Sequence, residues 1–188
     1  MHLHKAIPVG AGLGGGSADA SFTLLLLNKK YDLNISEKKL FDYALQLGSD
    51  CPFFLLNQTC FASRRGEILE PINLSLSGYK MLLINPGMHI STNELFKKIT
   101  PQVPSKKISK IVCQPVSTWK NDLVNDFEKI VFKEHSLLKE IKESLYHNGA
   151  EYAAMTGTGS TIFGIFNSNT QYDYPATNGY FQRWINFY

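Results

Sequence analysis

Five glycines, Gly10, Gly12, Gly14, Gly15 and Gly16, fall within seven positions, between Pro8-Val9 and Ser17-Ala18-Asp19-Ala20. Glycine opens left-handed backbone conformations and lets a ligand approach the main chain. A leucine-rich helix pattern follows at once, through Phe22 and Leu24 to Leu27. A glycine loop that feeds a helix N-terminus aims unpaired N–H groups and a positive dipole end at one spot, which suits a phosphate. The candidate phosphate-binding residues are therefore Pro8, Val9, Gly10, Ala11, Gly12, Leu13, Gly14, Gly15, Gly16, Ser17 and Ala18. A flexible linker is the plain alternative, but linkers do not run straight into such a helix.

A nucleotide-binding loop of the Walker type needs Gly-Lys-Ser/Thr at its end, and here Gly16 meets Ser17 with no lysine until Lys29. Gly10-x-Gly12-x-x-Gly15 matches a dinucleotide fingerprint, with Asp32 near the acidic position. That fold needs a strand after the helix, and Asn34-Ile35-Ser36 leads instead into a second helix. Two further stretches carry chemistry. Asp50, in Gly48-Ser49-Asp50-Cys51-Pro52-Phe53-Phe54, stands at a helix exit before an apolar run. Partial desolvation there would suit a base, while a capping Asp in a turn is an equal reading. Thr156-Gly157-Thr158-Gly159-Ser160-Thr161 lies between two apolar strand patterns and could be a hairpin turn only.

Residues 8–20 as a whole resemble the phosphate loop of the GHMP kinase superfamily, named for galactokinase, homoserine kinase, mevalonate kinase and phosphomevalonate kinase. The triple glycine followed by Ser-Ala-Asp-Ala is most similar to the branch that acts on a cytidine-diphosphate-linked methylerythritol in the non-mevalonate route to isoprenoids. The stretch around Asp50 resembles the one holding the family's catalytic aspartate, which implies Asp50 as the group that takes the proton from a substrate hydroxyl. Residues 155–161 resemble the third family motif, which implies Gly157, Thr158 and Gly159 in holding substrate phosphates. The arrangement Pro86-Gly87, Ser91-Thr92, Phe96 is similar too, and implies Phe96 stacking on cytosine; core packing is the competing role. Asn125-Asp126-Phe127-Glu128 resembles a family stretch whose role is structural, through capping and helix packing. Arg64-Arg65 stand where the family usually has a small turn with glycine, a departure. The resemblance covers residues 3–181. It implies an α+β fold of two subdomains: residues 1–77 as the remainder of an ATP-binding domain, and 78–188 as a ferredoxin-like C-terminal domain. It further implies ATP and Mg2+ as cofactors and a small-molecule partner, without nucleic acid or membrane, in the cytoplasm. In the family, several strands and a lysine near the transferred phosphate precede the loop. The competing expectation is an incomplete kinase that folds or binds nucleotide without turnover, with apolar faces and sheet edges left open.

The elements that must position these residues follow from pattern. The chain has 188 residues, 44% of them hydrophobic, and a formal net charge of +3, too mild to demand nucleic acid. Cys51, Cys60 and Cys113 form no CxxC pair and an odd set, which suits reduced thiols. No signal-peptide pattern and no membrane-length apolar run is seen. Residues 1–7 supply the end of one strand at most, so the chain is expected to begin within a domain. The spacing predicts a helix over 17–31, with Ser17 at its mouth and Asp19 in its first turn. A second helix, capped by Ser36, buries Leu40, Ala44 and Leu47, with Phe41 and Leu45 beside them. Strands are expected near 59–62, 68–69, 79–84, 152–155 and 162–166, and an edge strand near 179–181. Ser91-x-x-Glu94 opens a helix as a capping box. Residues 100–117 read as loop, with Lys106, Lys107 and Lys110 facing solvent, and 122–132 as helix. Ser136 caps a last helix with a Leu138, Ile141, Leu145 stripe and Lys139, Glu140, Lys142 and Glu143 in water; Asn148-Gly149 ends it.

Overall fold

A computed structural model of the chain describes residues 2–175, 177 and 179–187. The chain divides into two compact units, Gly14–Leu74 and Met1–Leu13 with Ser75–Tyr188. The mixture of helix and sheet is the α+β class expected.

Within Gly14–Leu74 three helices come first. Helix α1 (Gly15–Lys30) starts two residues earlier than expected, with Gly14 in the left-handed conformation at its N-cap and no side-chain cap. Ser17 is therefore a first-turn residue and not a cap, and Asp19 lies beyond the first turn, which holds no acid. Asn28 accepts from the Ile35 amide at 3.0 Å and donates to the Ile35 carbonyl at 3.2 Å, closing the turn into α2 (Glu37–Leu47). No strand intervenes, so the dinucleotide topology is absent here. Asp32 and Asn34 take positive φ in that turn, which short polar side chains tolerate. Helix α2 buries Leu40 and Ala44, but Leu45 and Leu47 are exposed, contrary to the expected face. Helix α3 (Cys51–Leu56) packs on α1, and the buried Ser21 hydroxyl donates to the Cys51 carbonyl at 2.7 Å. Strands β1 (Cys60–Ser63) and β2 (Ile68–Pro71) form an antiparallel hairpin, Ser63 opposite Ile68.

The other unit is built on β3 (Tyr79–Asn85). Helix α4 (Thr92–Lys98) follows, its Ser91 hydroxyl accepting from the Glu94 amide at 3.4 Å, half of the expected capping box. The loop expected over 100–117 contains the short α5 (Ile108–Ile111) and leads into a 3-10 helix, Val116–Asn121. The helix expected from 122 begins only at α6 (Glu128–Glu134), because Asn125 folds back to bond the Phe127 amide at 3.0 Å. Helix α7 (Ser136–His147) takes Ser136 as its first residue and leads into β4 (Tyr152–Met155), β5 (Ile162–Asn167) and β6 (Phe181–Asn186). Gly149, at φ 95°, turns the chain after α7 as expected.

The strand order is β4-β5-β3-β6, all antiparallel. Counting strands from β3, that is the 2-3-1-4 order of a ferredoxin-like sheet. One crossover departs from that scheme: β5 to β6 carries no helix among the described residues. Tyr172, Tyr174 and Tyr180 cover the sheet there, with Tyr172 and Trp184 against Phe166 at ring distances of 5.8 and 5.2 Å. The α7 stripe is buried as predicted, with Leu138 and Leu145 at 0% exposure. It fits because Gly164 of β5 has no β-carbon; one would lie 3.3 Å from Leu145 Cδ1. On the opposite sheet face Tyr152 meets Trp119 and Phe163 edge-on, and its hydroxyl donates to the Leu123 carbonyl at 2.9 Å.

Candidate active site

Two antiparallel strands need a turn, and β4 and β5 are joined by one at residues 156–161. The Thr156 amide donates to the Thr161 carbonyl at 2.9 Å, and the Gly159 amide to the Thr156 carbonyl at 3.0 Å. The hairpin reading of the second glycine motif is thus correct as far as it goes. The turn also receives the first glycine segment. The Thr156 hydroxyl donates to the Gly12 carbonyl at 2.8 Å, and the Thr161 amide to the Ala11 carbonyl at 3.3 Å. A β-carbon on Gly12, at φ 74°, would lie 2.4 Å from the Thr156 carbonyl oxygen and 2.8 Å from that of Gly159. Only glycine fits so close an approach of two backbones.

The carbonyls of Ala11 and Gly12 are thereby engaged, and the amides are not. The N–H groups of Val9, Gly10, Ala11, Gly12 and Leu13 make no hydrogen bond to a described residue. Unpaired amides on a glycine-rich turn form a concavity for an anion. A β-carbon on the exposed Gly10 would lie 3.5 Å from His89 Nδ1, so an imidazole edge flanks this segment. The adjoining residues Gly14, Gly15, Gly16, Ser17 and Ala18 belong to the other unit, where the first α1 bond, Ala18 amide to Gly14 carbonyl, is 2.9 Å. The amides of Gly15, Gly16 and Ser17 precede it and have no partner within the helix.

Polar side chains, two of them buried, hold the second turn from three directions. Asn125 Nδ2 donates to the carbonyls of Met155 and Gly157, both at 2.8 Å. Glu128, 8% exposed, accepts the Met155 amide on Oε1 at 2.7 Å and the Lys142 ammonium on Oε2 at 2.6 Å. Asn85, at the end of β3, donates to the Thr161 hydroxyl at 2.9 Å and the Ser160 hydroxyl at 3.3 Å. Lys142 was expected in water; its side chain is 20% exposed and turned inward to this carboxylate. Asn85 and Lys142 escaped sequence reasoning. A lysine on the polar side of an amphipathic helix gives no sign of a buried partner on another helix. Next to Glu128, burial pushes the Tyr146 phenol up and the carboxylate adds to the rise, while its hydroxyl donates to the Ala153 carbonyl. Tyr152 is raised further by its burial, so both stay neutral donors at physiological pH.

The Thr158 hydroxyl pairs with that of Thr92 at 2.9 Å, tying the turn to the start of α4. Phe96 projects from α4 with 62% exposure, edge-on to Phe127 at 5.1 Å. An exposed ring is available for stacking, and the core-packing role does not apply. Asp50 occupies the N-cap position of α3 without a side-chain cap bond, and it is exposed. The partial desolvation expected of it is absent: the apolar run after it buries Cys51 and Pro52 within α3, while Asp50 at the N-cap stays exposed. A β-carbon on Gly66, in the β1–β2 turn, would lie 3.2 Å from Asp50 Oδ1. That turn carries the exposed Arg64 at φ 58°, a conformation glycine would hold without strain.

Known proteins resemble this chain over most of its length. The model of the GHMP kinases N terminal domain matches residues 1–58, and that of the GHMP kinases C terminal matches 116–173. A curated protein of Porphyromonas gingivalis is 44% identical over 186 residues, 98% of this chain and 68% of its own length. On these matches the chain belongs to the GHMP kinase family. That relative and one in Bacteroides fragilis, 48% identical over 94% of this chain, are both named 4-diphosphocytidyl-2-C-methyl-D-erythritol kinase. The solved structure of a 4-(cytidine 5'-diphospho)-2C-methyl-D-erythritol kinase superposes with a TM-score of 0.74 at 32% identity, over 86% of this chain and 59% of that one. A homoserine kinase from Cytophaga hutchinsonii, at 19% identity and a TM-score of 0.53, shares the fold. The chain spans 65% of the length of the Bacteroides fragilis relative.

Proposed function

We propose that this chain carries the nucleotide- and substrate-binding residues of a kinase that transfers the γ-phosphoryl of ATP to a hydroxyl of 4-diphosphocytidyl-2-C-methyl-D-erythritol, a step toward isoprenoid precursors. The observation that carries the reading is the close seating of Gly12 on the turn at Thr156–Gly159, which leaves the amides of residues 9–13 unpaired. Such a cradle fits polyphosphate oxygens, and its fixed donors need no reorganisation as charge shifts. Residues 8–18 would hold the phosphates of ATP. Gly157, Thr158 and Gly159 would hold phosphates of the substrate, and Phe96 would stack on its cytosine. Asp50 would accept the proton of the attacking hydroxyl; its exposed carboxylate is open to a ligand. Phosphoryl transfer depends mainly on such positioning and on charge neutralisation. Among the described residues no three metal-ligating side chains converge. A magnesium ion would be held largely by phosphate oxygens, its usual mode beside nucleotides. The compartment in keeping with this chemistry is the cytoplasm.

A second reading is a chain that binds nucleotide without turnover. It is favoured by the apolar side chains that α1 leaves in solvent, Phe22 and Leu26 above all. A coupled ATP-consumption assay with the cytidine diphosphate substrate separates the two. Turnover that needs the substrate and vanishes in Asp50→Asn establishes the kinase. Nucleotide binding with no turnover in the wild-type chain establishes the second reading.

A further inference from the structure

A carboxylate shut away from water needs partners for both oxygens, and Glu128 spends its two on different things. Oε2 takes the ammonium of Lys142 from α7, the neighbouring helix. Oε1 takes the amide of Met155, the residue just before the second glycine turn. That amide sits on β4, where a strand partner or water could have served equally well. A buried ion pair is a poor source of net stability against an apolar alternative, but it fixes geometry sharply. From Met155 the chain of contacts runs on. Thr156, the next residue, donates its hydroxyl to the Gly12 carbonyl. Asn125, three residues before Glu128, bridges the carbonyls of Met155 and Gly157. The first glycine segment thus rests on a turn bonded to Glu128 of α6 and, through it, to Lys142 of α7.

We propose that Glu128, held by Lys142, is a positioning residue that couples the two glycine segments. It pins Met155, Met155 places Thr156, and Thr156 holds the Gly12 carbonyl, which fixes the backbone of residues 9–13 against the turn. Neither Glu128 nor Lys142 touches the ligand in this scheme. The inference rests on the reading of residues 8–18 and 157–159 as phosphate-binding, and it gives the shape of the segments at Gly12 and Gly157 a cause in the helices behind them.

The test uses the whole chain labelled with 15N-glycine, without ligand. Gly12, Gly157 and Gly159 report on the coupled segments, and Gly48 and Gly66 report on the other unit. Glu128→Gln keeps an acceptor for Met155 and loses the ion pair; Glu128→Met loses both. The resonances of Gly157, Gly159 and Gly12 are expected to move, more in Glu128→Met than in Glu128→Gln, with Gly48 and Gly66 in place. Adding Thr156→Val should shrink the Gly12 response to Glu128→Gln while the Gly157 response remains. Should the Glu128 variants fold poorly, Lys142→Gln removes the ion pair from its partly exposed end, and the same pattern is expected in weaker form. A Gly12 resonance that stays put in the folded variants overturns the proposal, and so does a change spread evenly over all glycines. Titration with MgATP is the second arm. Glu128→Gln should weaken binding roughly tenfold, within the about 5- to 150-fold range of coupling between distinct sites. Unchanged affinity in a variant whose Gly12 has moved also overturns the positioning role. A wild-type chain that binds no MgATP would overturn the functional reading instead, while the glycine resonances still decide the coupling.

Discussion

Helices α1 and α7 are both rich in leucine, and they end in opposite conditions. In α7 the apolar residues Leu138, Ile141 and Leu145 recur at i, i+3 and i+7, and all three are buried. In α1 the leucines run consecutively from Leu24 to Leu27 after Phe22, and Ser21 is its one buried residue. A stripe needs one neighbour, and the β-sheet supplies it. A belt of apolar side chains points around the whole helix, so a neighbour on one side covers a fraction of it. Phe22 at 50% and Leu26 at 55% exposure are the fraction left over. The two units therefore differ in what holds them: a closed core under the sheet in one, and partial helix contacts with a hairpin in the other.

Substitutions in matched pairs put this contrast to the test, and Trp119 and Trp184 both lie in the sheet-bearing unit, so their fluorescence follows its unfolding alone. Phe166→Ala, at a site with 0% exposure, should cost that unit about 3–5 kcal/mol in chemical denaturation. Phe22→Ala in α1 should change the stability of the other unit, read by helix circular dichroism, by less than about 0.5 kcal/mol; comparable losses would contradict the contrast.

Gly12→Ala combines a positive φ with a β-carbon driven 2.4 Å from a backbone oxygen. It should cost about 3 kcal/mol, from strain and overpacking together. Gly16→Ala meets nothing within 4 Å and should stabilise α1 by about 0.5 kcal/mol.

The alkaline limb of the pH profile is the third measurement. Burial raises the Tyr152 phenol above its ordinary range, and Tyr146 shifts the same way. A raised folded-state value means that the unfolded chain ionises first. The contribution to stability is then complete below about pH 10 and is lost as pH climbs beyond it, by about 1 kcal/mol per pH unit from Tyr152. Fluorescence-monitored denaturation of the sheet-bearing unit should be flat up to that point and then fall. Tyr152→Phe should flatten the fall, after a fixed cost of about 1 kcal/mol for the lost bond to Leu123.

The smallest effect concerns Arg64. Relieving its positive φ by Arg64→Gly should raise the stability of the other unit by about 0.5–1 kcal/mol, read by helix circular dichroism. A loss would mean that the guanidinium has a role in the folded chain.

Much of this was legible before any coordinates. The α7 stripe, the β4 and β5 strands, the turn at Asn148-Gly149 and the Ser91 cap all lie where pattern placed them, because each depends on neighbours within a few residues. Boundaries failed where a nearby side chain rewrote the local preference. Gly14 took the cap position and left Ser17, expected at the helix mouth, inside the first turn, and Asn125 delayed α6 by bonding the Phe127 amide. Exposure was misjudged wherever it depended on a partner distant in sequence. Lys142 turned inward to Glu128, fourteen positions away, while Asp50, Leu45 and Leu47 stayed in solvent.

From its residues alone this chain declared two glycine motifs, the Gly48–Phe54 string around Asp50 between them and an α+β alternation, and so its family, since those signals are local strings whose backbone demands few other residues can meet. The interlock of Gly12 with Thr156, and the buried Glu128–Lys142 pair beneath it, were decided by the tertiary structure. Such contacts join positions up to 144 residues apart, and their strength lies in burial, which no local pattern encodes.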